Sequence, residues 1–274
     1  MAQIHPSAIV EDSVKLADDV TIGAYCTLRG EIEIGAGTFI DDHSQVRGHT
    51  IIGKNCRIGP GAYVGLDPQH LKYHGEKTSL IVGDDVIIRE LASVHRSSRQ
   101  GLENATRLGN RCFLMGGAHV AHDCVLADDV TIANDALLGG HVTVGTRAFL
   151  GGASVVHQFC RLGRISMIAG NEAVSHDLPP FSVMRYGGLK GYNAIGCRRG
   201  GLTQEAIFAI RRAFRMLHTH RTVPLVVQAI KANVPLTDEV RELIDFLTTT
   251  KRGIIPSLAM HRPGSGGNRD DDDE

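Results

Sequence analysis

Aliphatic residues recur at every sixth position along most of this chain. The register starts at Ile4 and continues to Val64, resumes at Val82 for three repeats, and then runs from Leu108 to Val174. A helical period of 3.6 residues cannot keep one residue type on one face at a spacing of six, whereas a short strand followed by a turn can. The pattern therefore predicts a mainly β protein, a parallel β-helix of 26 hexapeptide repeats in about nine coils.

The other places of the hexad are also restricted. The place after the aliphatic residue is often glycine, as at Gly23 and Gly35, and we expect these glycines to relieve corners that need a positive φ. The fifth place is usually small. Five cysteines occupy it and are predicted to be buried, reduced thiols: Cys26, Cys56, Cys112, Cys124 and Cys160.

Two polar, charged segments leave the register, residues 66–79 and 96–107. Insertions in a solenoid usually collect on one face and often bind a ligand, although plain solvated loops remain an alternative. Lys72 in the first segment is a candidate contact for an anionic ligand.

The spacing changes from six residues to a helical one after Val174. Residues 202–220, 224–232 and 237–250 are typical of amphipathic helices, the first with Thr203 as its N-cap. The sequence thus predicts a β-helix over residues 1–190 and a small α-helical C-terminal domain over 191–262. Residues 263–274, which end in a run of acidic side chains, are predicted to be a disordered tail.

Charge and hydropathy narrow the possible partners and location. Lys and Arg number 29 against 30 Asp and Glu, so the chain has no strong field for nucleic acid or an anionic membrane. It shows neither a signal peptide nor a stretch approaching the roughly 18 apolar residues of a membrane span. We therefore expect a cytoplasmic protein without stable membrane insertion.

Histidines gather where the repeat does not require them. His122, Gly140, Gln158 and His176 take the third place of hexads 18 residues apart, so they are predicted to stack in one column, with His119 and His141 beside it. Histidine is the usual general base near neutral pH. Asp123 is positioned to orient or charge-stabilise the His122 ring, and Gly140 would leave an open backbone N–H of the kind an oxyanion site uses.

Several motifs resemble those of the UDP-N-acetylglucosamine O-acyltransferases, cytosolic enzymes of lipid A synthesis. They are Gly117–Cys124 (GAHVAHDC), Gly139–Val142 (GGHV), Val156–Cys160 (VHQFC), Gln69–Tyr73 (QHLKY) and Arg198–Gly200 (RRG). The resemblance covers nearly the whole chain outside the acidic tail. It implies a homotrimer of left-handed β-helices that binds ligands between subunits and moves an acyl group, commonly 3-hydroxylated, from acyl carrier protein to the sugar 3-hydroxyl.

The resemblance also implies roles for individual residues. His122 would be the general base, Asp123 its support and Gly140 the oxyanion donor, with no metal and no cofactor beyond the phosphopantetheine of the carrier protein. Glycine at position 170 would lengthen the acyl groove and favour a longer chain. Positions that would contact the nucleotide sugar, the acyl group or phosphopantetheine are Lys72, His119, His141, Gln158, Asn193 and Arg199.

Two residues depart from the family pattern. His70 stands where an acidic residue commonly contacts the sugar, which leaves a 3-amino sugar open as the acceptor. Gly200 stands where a second arginine is frequent, which leaves the contact with diphosphate or carrier protein open.

Two other classes of function remain as alternatives. One is a zinc enzyme of the gamma carbonic anhydrase type, with metal held by His119, His122 and His141. The other is a purely structural solenoid, which the histidine column disfavours.

Overall fold

The computed structural model describes residues 1–220 and 222–258. Each of the 26 predicted hexads forms a short strand there, and strands three hexads apart pair in parallel. Three sheets result, which we name A, B and C and which form the walls of a prism of about ten turns. The predicted parallel β-helix is confirmed.

The strands alternate between the three walls in chain order. Sheet A contains β1 (Gln3–Ile4), β4 (Thr21–Ile22), β7 (Phe39–Ile40), β10 (Arg57–Ile58), β13 (Ile87–Ile88), β16 (Phe113–Leu114), β19 (Thr131–Ile132), β22 (Phe149–Leu150), β25 (Met167–Ile168), β27 (Ser182–Arg185) and β28 (Gly188–Tyr192). Sheet B contains β2 (Ile9–Val10), β5 (Thr27–Arg29), β8 (Gln45–Arg47), β11 (Tyr63–Leu66), β14 (Ser93–His95), β17 (His119–Val120), β20 (Leu137–Leu138), β23 (Val155–Val156) and β26 (Ala173–Val174). Sheet C contains β3 (Lys15–Leu16), β6 (Ile32–Ile34), β9 (His49–Ile52), β12 (Ser79–Val82), β15 (Thr106–Leu108), β18 (Val125–Leu126), β21 (Thr143–Val144) and β24 (Arg161–Leu162).

The repeated aliphatic residues fill the prism. Ile58, Leu114 and Leu138 are completely buried, whereas Ile4 in the first coil is 45% exposed because that coil has a neighbour on one side only. The five cysteines of the fifth place are buried and free, as predicted, and so is Cys197. Burial raises the pKa of the Cys124 thiol to about 12, which keeps it protonated and unreactive at neutral pH.

The expected role of the second-place glycines is wrong. The left-handed backbone lies at the fourth place, usually on a non-glycine residue such as Asn55 (φ 55°) or Asp123 (φ 61°). Second-place glycines are needed because the next coil passes too close for a side chain. A Cβ on Gly35 would lie 2.7 Å from the carbonyl carbon of Gly53.

Both insertions leave the prism at the corner between sheets B and C. The first, which we call loop 1, joins β11 to β12 through residues 67–78, and the second joins β14 to β15 through residues 96–105. The second loop contains a short 3₁₀ helix, Leu102–Asn104, that the sequence did not predict. The loops lie on the coils immediately before His122.

The C-terminal part begins with elements that the hydrophobic pattern did not reveal. Strands β27 and β28 form an antiparallel hairpin, and a short helix, α1 (Ala194–Arg199), follows. The three predicted helices are present as α2 (Gln204–Thr219), α3 (Val223–Asn233) and α4 (Asp238–Thr248). The Thr203 side chain caps α2 by accepting from Ala206 N–H, as predicted.

Two arginines of the prism hold α4. Arg164 forms a salt bridge with Glu242 at 2.9 Å, and Arg161 donates to the Phe246 carbonyl while pairing with buried Asp177. None of the helices in the described ranges is long and apolar enough to span a membrane. The predicted acidic tail, residues 263–274, lies outside the described residues.

Candidate active site

Strand pairing builds the histidine column. Strands β17, β20, β23 and β26 are neighbours in sheet B, with Val120 opposite Leu138, Leu138 opposite Val156 and Val156 opposite Val174. The third residue of each hexad therefore lies on the same corner, one rung above the last. These residues are His122, Gly140, Gln158 and His176, as the spacing predicted.

A buried carboxylate holds the His122 ring. Nδ1 of His122 lies 2.6 Å from Oδ2 of Asp123, whose side chain is only 2% exposed. The same oxygen accepts from the Ser98 hydroxyl at 2.6 Å, and Thr106 accepts from the Asp123 backbone N–H. With Nδ1 engaged in this way, Nε2 is the nitrogen left to accept a proton.

The carboxylate of Asp123 is held in its charged form. Burial alone would raise its pKa, but hydrogen bonds from His122 and Ser98 outweigh burial and lower the pKa to about 2. Ionised Asp123 requires a hydrogen from Nδ1 of His122, which fixes the tautomer.

Two further rings contact His122, and a third packs behind one of them. The His141 ring is perpendicular to it at 5.3 Å, and His70 from loop 1 approaches in the same manner at 5.3 Å. Phe159 stacks on the His141 ring at 4.5 Å. Nε2 of His141 lies 3.5 Å from Asp123, and burial lowers the pKa of His141 despite that neighbour. The site therefore brings His70, His122, Asp123 and His141 together.

His119 lies beside this group, on the strand that leads to it. Its Nδ1 lies 2.8 Å from the Ser93 hydroxyl, and its ring packs against His95 at 5.1 Å. Burial lowers the pKa of His119 to about 4, with smaller contributions from the charges of His95 and His122. This histidine is therefore neutral at physiological pH.

The lowered pKa of His119 predicts a stability change in mild acid. In the unfolded chain the ring titrates near 6.5, so its contribution to stability is complete above that pH and is lost as the pH falls towards 4. The difference corresponds to about 3 kcal/mol. We expect the free energy of unfolding, measured by urea denaturation, to decline less between pH 6.5 and 4 in His119→Gln than in the native protein. Parallel curves for the two proteins would contradict the assignment.

The backbone N–H of Gly140 is available for a ligand. On the sheet C corner some third-place N–H groups donate to the third-place side chain of the next coil, as Lys54 N does to Asp84 and Asn110 N does to Asp128. Gln158 makes no such bond to Gly140, and within residues 1–220 and 222–258 no protein acceptor takes the Gly140 N–H. That N–H is free to donate to a ligand, in a residue whose missing Cβ makes room for the His122 ring.

The remaining predicted residues lie outside the ring cluster. Lys72 is exposed in loop 1 two residues after His70, and Gln158 is exposed one residue before Phe159. Gly170 lies two residues after β25. Asn193 follows β28 and caps α1 by accepting from Gly196 N–H, and it also donates to the Ile165 carbonyl. Arg199 is exposed on α1. Within one chain these three are not joined to His122.

Several residues of the site were missed from the sequence. His95, Arg96 and Ser98 line the base of loop 1 and the Asp123 carboxylate. Pairing of Val94 with Val120 places Arg96 on the same corner as His122, one rung before it. Following the column of third-place residues back from His122 across the second interruption would have revealed Arg96.

A metal ion could also be held at this site by His122, Asp123 and His141, since one ligand atom from each lies within 4.8 Å of the others. It differs from the set considered in the sequence, because His119 is not part of it. Nδ1 of His122 is already bonded to Asp123 at 2.6 Å, so a metal at that nitrogen would have to displace this hydrogen bond.

Comparison with known families agrees with this geometry. Residues 177–255 match the family model of UDP-N-acetylglucosamine O-acyltransferase domain 2, and residues 31–66 and 105–140 match the bacterial transferase hexapeptide model. The acyl-[acyl-carrier-protein]--UDP-N-acetylglucosamine O-acyltransferase of Syntrophobacter fumaroxidans is 39% identical over 92% of this chain and 99% of its own. That of Myxococcus xanthus is 38% identical over 93% and 99%.

Solved structures give the same result. The UDP-N-acetylglucosamine O-acyltransferase of Moraxella catarrhalis superposes with a TM-score of 0.86 at 34% identity, over 92% of this chain and 99% of that one. The acyltransferase of Bacteroides fragilis gives 0.87 at 30% identity, over 92% and 99%. The predicted left-handed β-helix is thereby confirmed, and the zinc enzyme is not favoured. The chain belongs to the UDP-N-acetylglucosamine O-acyltransferase family.

Proposed function

We propose that this protein transfers an acyl group from the thioester of acyl carrier protein to the 3-hydroxyl of UDP-N-acetylglucosamine, the first step of lipid A synthesis. Family membership supports the reaction, and one observation carries its placement in the molecule. Nε2 of His122 is left available by the bond from Nδ1 to ionised Asp123, one rung before Gly140, whose N–H has no acceptor among the described residues.

The first step is removal of the hydroxyl proton. Nε2 of His122 accepts that proton as the sugar oxygen attacks the thioester carbonyl carbon and the new C–O bond forms. Asp123 stabilises the resulting imidazolium through Nδ1–H. A carboxylate with a pKa of about 2 remains charged throughout this step, so it acts as a fixed negative partner and not as a proton carrier.

The second step is collapse of the tetrahedral intermediate. The former carbonyl oxygen carries a negative charge, which the Gly140 N–H stabilises as a hydrogen-bond donor. The C–S bond then breaks, and the imidazolium returns its proton to the leaving sulfur. The products are the 3-O-acyl sugar nucleotide and the free thiol of the carrier, with no acyl-enzyme and no metal required.

Substrate contacts are assigned to the residues around this corner. Lys72 is exposed on loop 1, where its charge suits an anionic part of the nucleotide sugar. The reacting groups are bordered by His70, His119, His141 and Gln158. Gly170, Asn193 and Arg199 lie on another part of the same chain. A homotrimer would supply them from the neighbouring subunit, so we propose that the site forms between subunits of a cytoplasmic homotrimer.

The experiment that tests this function is an acyl-transfer assay with carrier proteins bearing 3-hydroxyacyl chains of several lengths. UDP-N-acetylglucosamine and its 3-amino analogue are offered in parallel, before and after dialysis against a metal chelator. We expect transfer to the hydroxyl sugar, unchanged by the chelator, and a preference for longer chains because Gly170 adds no side chain to the groove.

The other results of this assay would each redirect the interpretation. Transfer to the amino sugar alone would make His70 a determinant of the acceptor. Loss of activity together with stoichiometric zinc in the dialysate would favour the metal group at His122. No transfer to either sugar by intact protein would overturn the proposed function.

A further inference from the structure

Arg96 is a buried charge that the proposed chemistry does not use. The residue is only 6% exposed, although arginine is almost never buried without a specific set of partners. It lies on the corner of His122, one rung before it, where the second loop begins. The hydrogen bonds of the guanidinium show which part of the chain it holds.

The guanidinium contacts loop 1 at its beginning, middle and end. One terminal nitrogen donates to the Gly65 carbonyl, and the other donates to Asp67 and, at 3.2 Å, to the Tyr73 hydroxyl. Nε lies 3.4 Å from the Thr78 hydroxyl. Gly65 precedes loop 1, and Asp67, Tyr73 and Thr78 lie at its start, middle and end, so a single side chain contacts both ends and the centre of the loop that carries His70 and Lys72.

Other contacts continue from the guanidinium to the active-site rings. Tyr73 N–H donates to the His70 carbonyl at 3.0 Å, and the His70 ring lies 5.3 Å from that of His122. On the other side, His95 holds the Asp67 carbonyl at 2.7 Å and packs against His119. Movement of the guanidinium would therefore be transmitted to His70 before it reached the fully paired carboxylate of Asp123.

The space around the guanidinium is shaped for it. A Cβ on Gly48 would lie 2.1 Å from a terminal nitrogen of Arg96, so glycine there leaves room for the planar group. Asp67, the charged partner, is 71% exposed and can lose its partner without being left buried. The network is thus better explained as a device that places loop 1 than as one that stabilises the prism.

We propose that Arg96 is a positioning residue that holds loop 1 over the active site, so that His70 and Lys72 meet the nucleotide sugar. This inference rests on the proposed function. A lysine would keep the charge but not the planar fork, and could not reach the loop at all these points at once. Replacing Arg96 should therefore weaken binding of the nucleotide sugar more than it slows proton transfer at His122.

The test compares Arg96→Lys and Arg96→Ala with the native protein, using Arg89→Lys as the matched control. Arg89 is an exposed arginine directly after β13 that pairs with its neighbour Glu90. We expect both Arg96 variants to raise the KM for the nucleotide sugar about tenfold or more, with kcat reduced less than threefold. Millimolar guanidinium ion should partly restore the KM of Arg96→Ala, whereas an equal concentration of sodium chloride should not. Amide exchange across residues 67–78 should accelerate in the variants.

Each other outcome counts against the proposal. Native KM and loop exchange in Arg96→Ala would overturn it, as would a fall in kcat at unchanged KM. If Arg96→Ala does not fold, Tyr73→Phe can be used instead, because it removes the hydroxyl that bonds the guanidinium. An unchanged KM in that variant would refute the positioning role of Arg96. Failure of the native protein to transfer acyl groups would refute the proposed function instead, while the exchange measurement would still report on the loop.

Discussion

Replacement of His122 by alanine should reduce kcat by roughly 10²–10⁴, the range expected for a positioned general base. The variant removes the nitrogen that accepts the sugar proton and leaves the rest of the column in place. The prism should fold normally, because His122 lies at a corner outside the aliphatic stack that fills the interior. Steady-state assays at saturating nucleotide sugar would measure the loss, and thermal unfolding would show that the fold is retained.

His176→Ala is the matched control for this experiment. His176 takes the same third place on the same corner, but its Nδ1 bonds the neighbouring Ser175, and no carboxylate of the described residues pairs with it. We expect near-native turnover from it. Turnover close to the native value in His122→Ala would remove that histidine from the role of base, and an equal loss in both variants would indicate that the column acts through structure alone.

A methyl group on Gly140 should be almost as damaging. The added Cβ would lie 2.6 Å from Cε1 and 2.9 Å from Nε2 of His122, closer than nonbonded contact allows. The ring has little freedom to withdraw, since Asp123 holds one side and His70 and His141 flank it. Displacing a base by about 1 Å corresponds to roughly a 10²-fold loss in rate, and loss of an oxyanion donor to roughly 10²–10³. Because the two groups act on the same transition state their losses do not multiply, so we expect kcat of Gly140→Ala to fall by about 10²–10³.

Gly140→Ala should lose most of its activity while losing little stability. Gly140 does not have a positive φ, so alanine adds no backbone strain, and displacement of the His122 ring should lower the melting temperature by several degrees at most. Gly116→Ala is the control, a third-place glycine on another corner where the new Cβ meets the mobile end of Glu90 at 2.9 Å. A fully active Gly140→Ala would show that neither the ring position nor this donor limits the reaction.

Prediction from the sequence succeeded where position in the chain translates directly into position in space. In a solenoid each repeat contacts its neighbours alone, so a spacing of 18 residues was enough to stack His122 under Gly140. It failed where that translation does not hold. The hairpin β27–β28 and helix α1 lie beyond the repeat, and Arg96 was overlooked because the second interruption hid its place in the column.

Glycine provides the clearest case of a correct pattern with a wrong reason. The sequence showed that glycine is preferred at the second place, but the choice between backbone strain and lack of space depends on the distance to the next coil. That distance, 2.7 Å from a Cβ on Gly35 to Gly53, exists only after the coils have stacked. The left-handed residues were instead at the fourth place, where Asn, Asp and His are accepted readily.

The hexad periodicity was enough to predict the β-helix, its core residues, its buried cysteines and the column of His122, because these follow from local spacing. Resemblance of short motifs added the left-handed form and the acyltransferase family. Only the tertiary structure decided which nitrogen of His122 is free, how Ser98 and His122 lower the pKa of Asp123, and that Arg96 grips loop 1. Those properties depend on side chains from distant parts of the chain meeting at distances near 3 Å, and no one-dimensional pattern contains such distances.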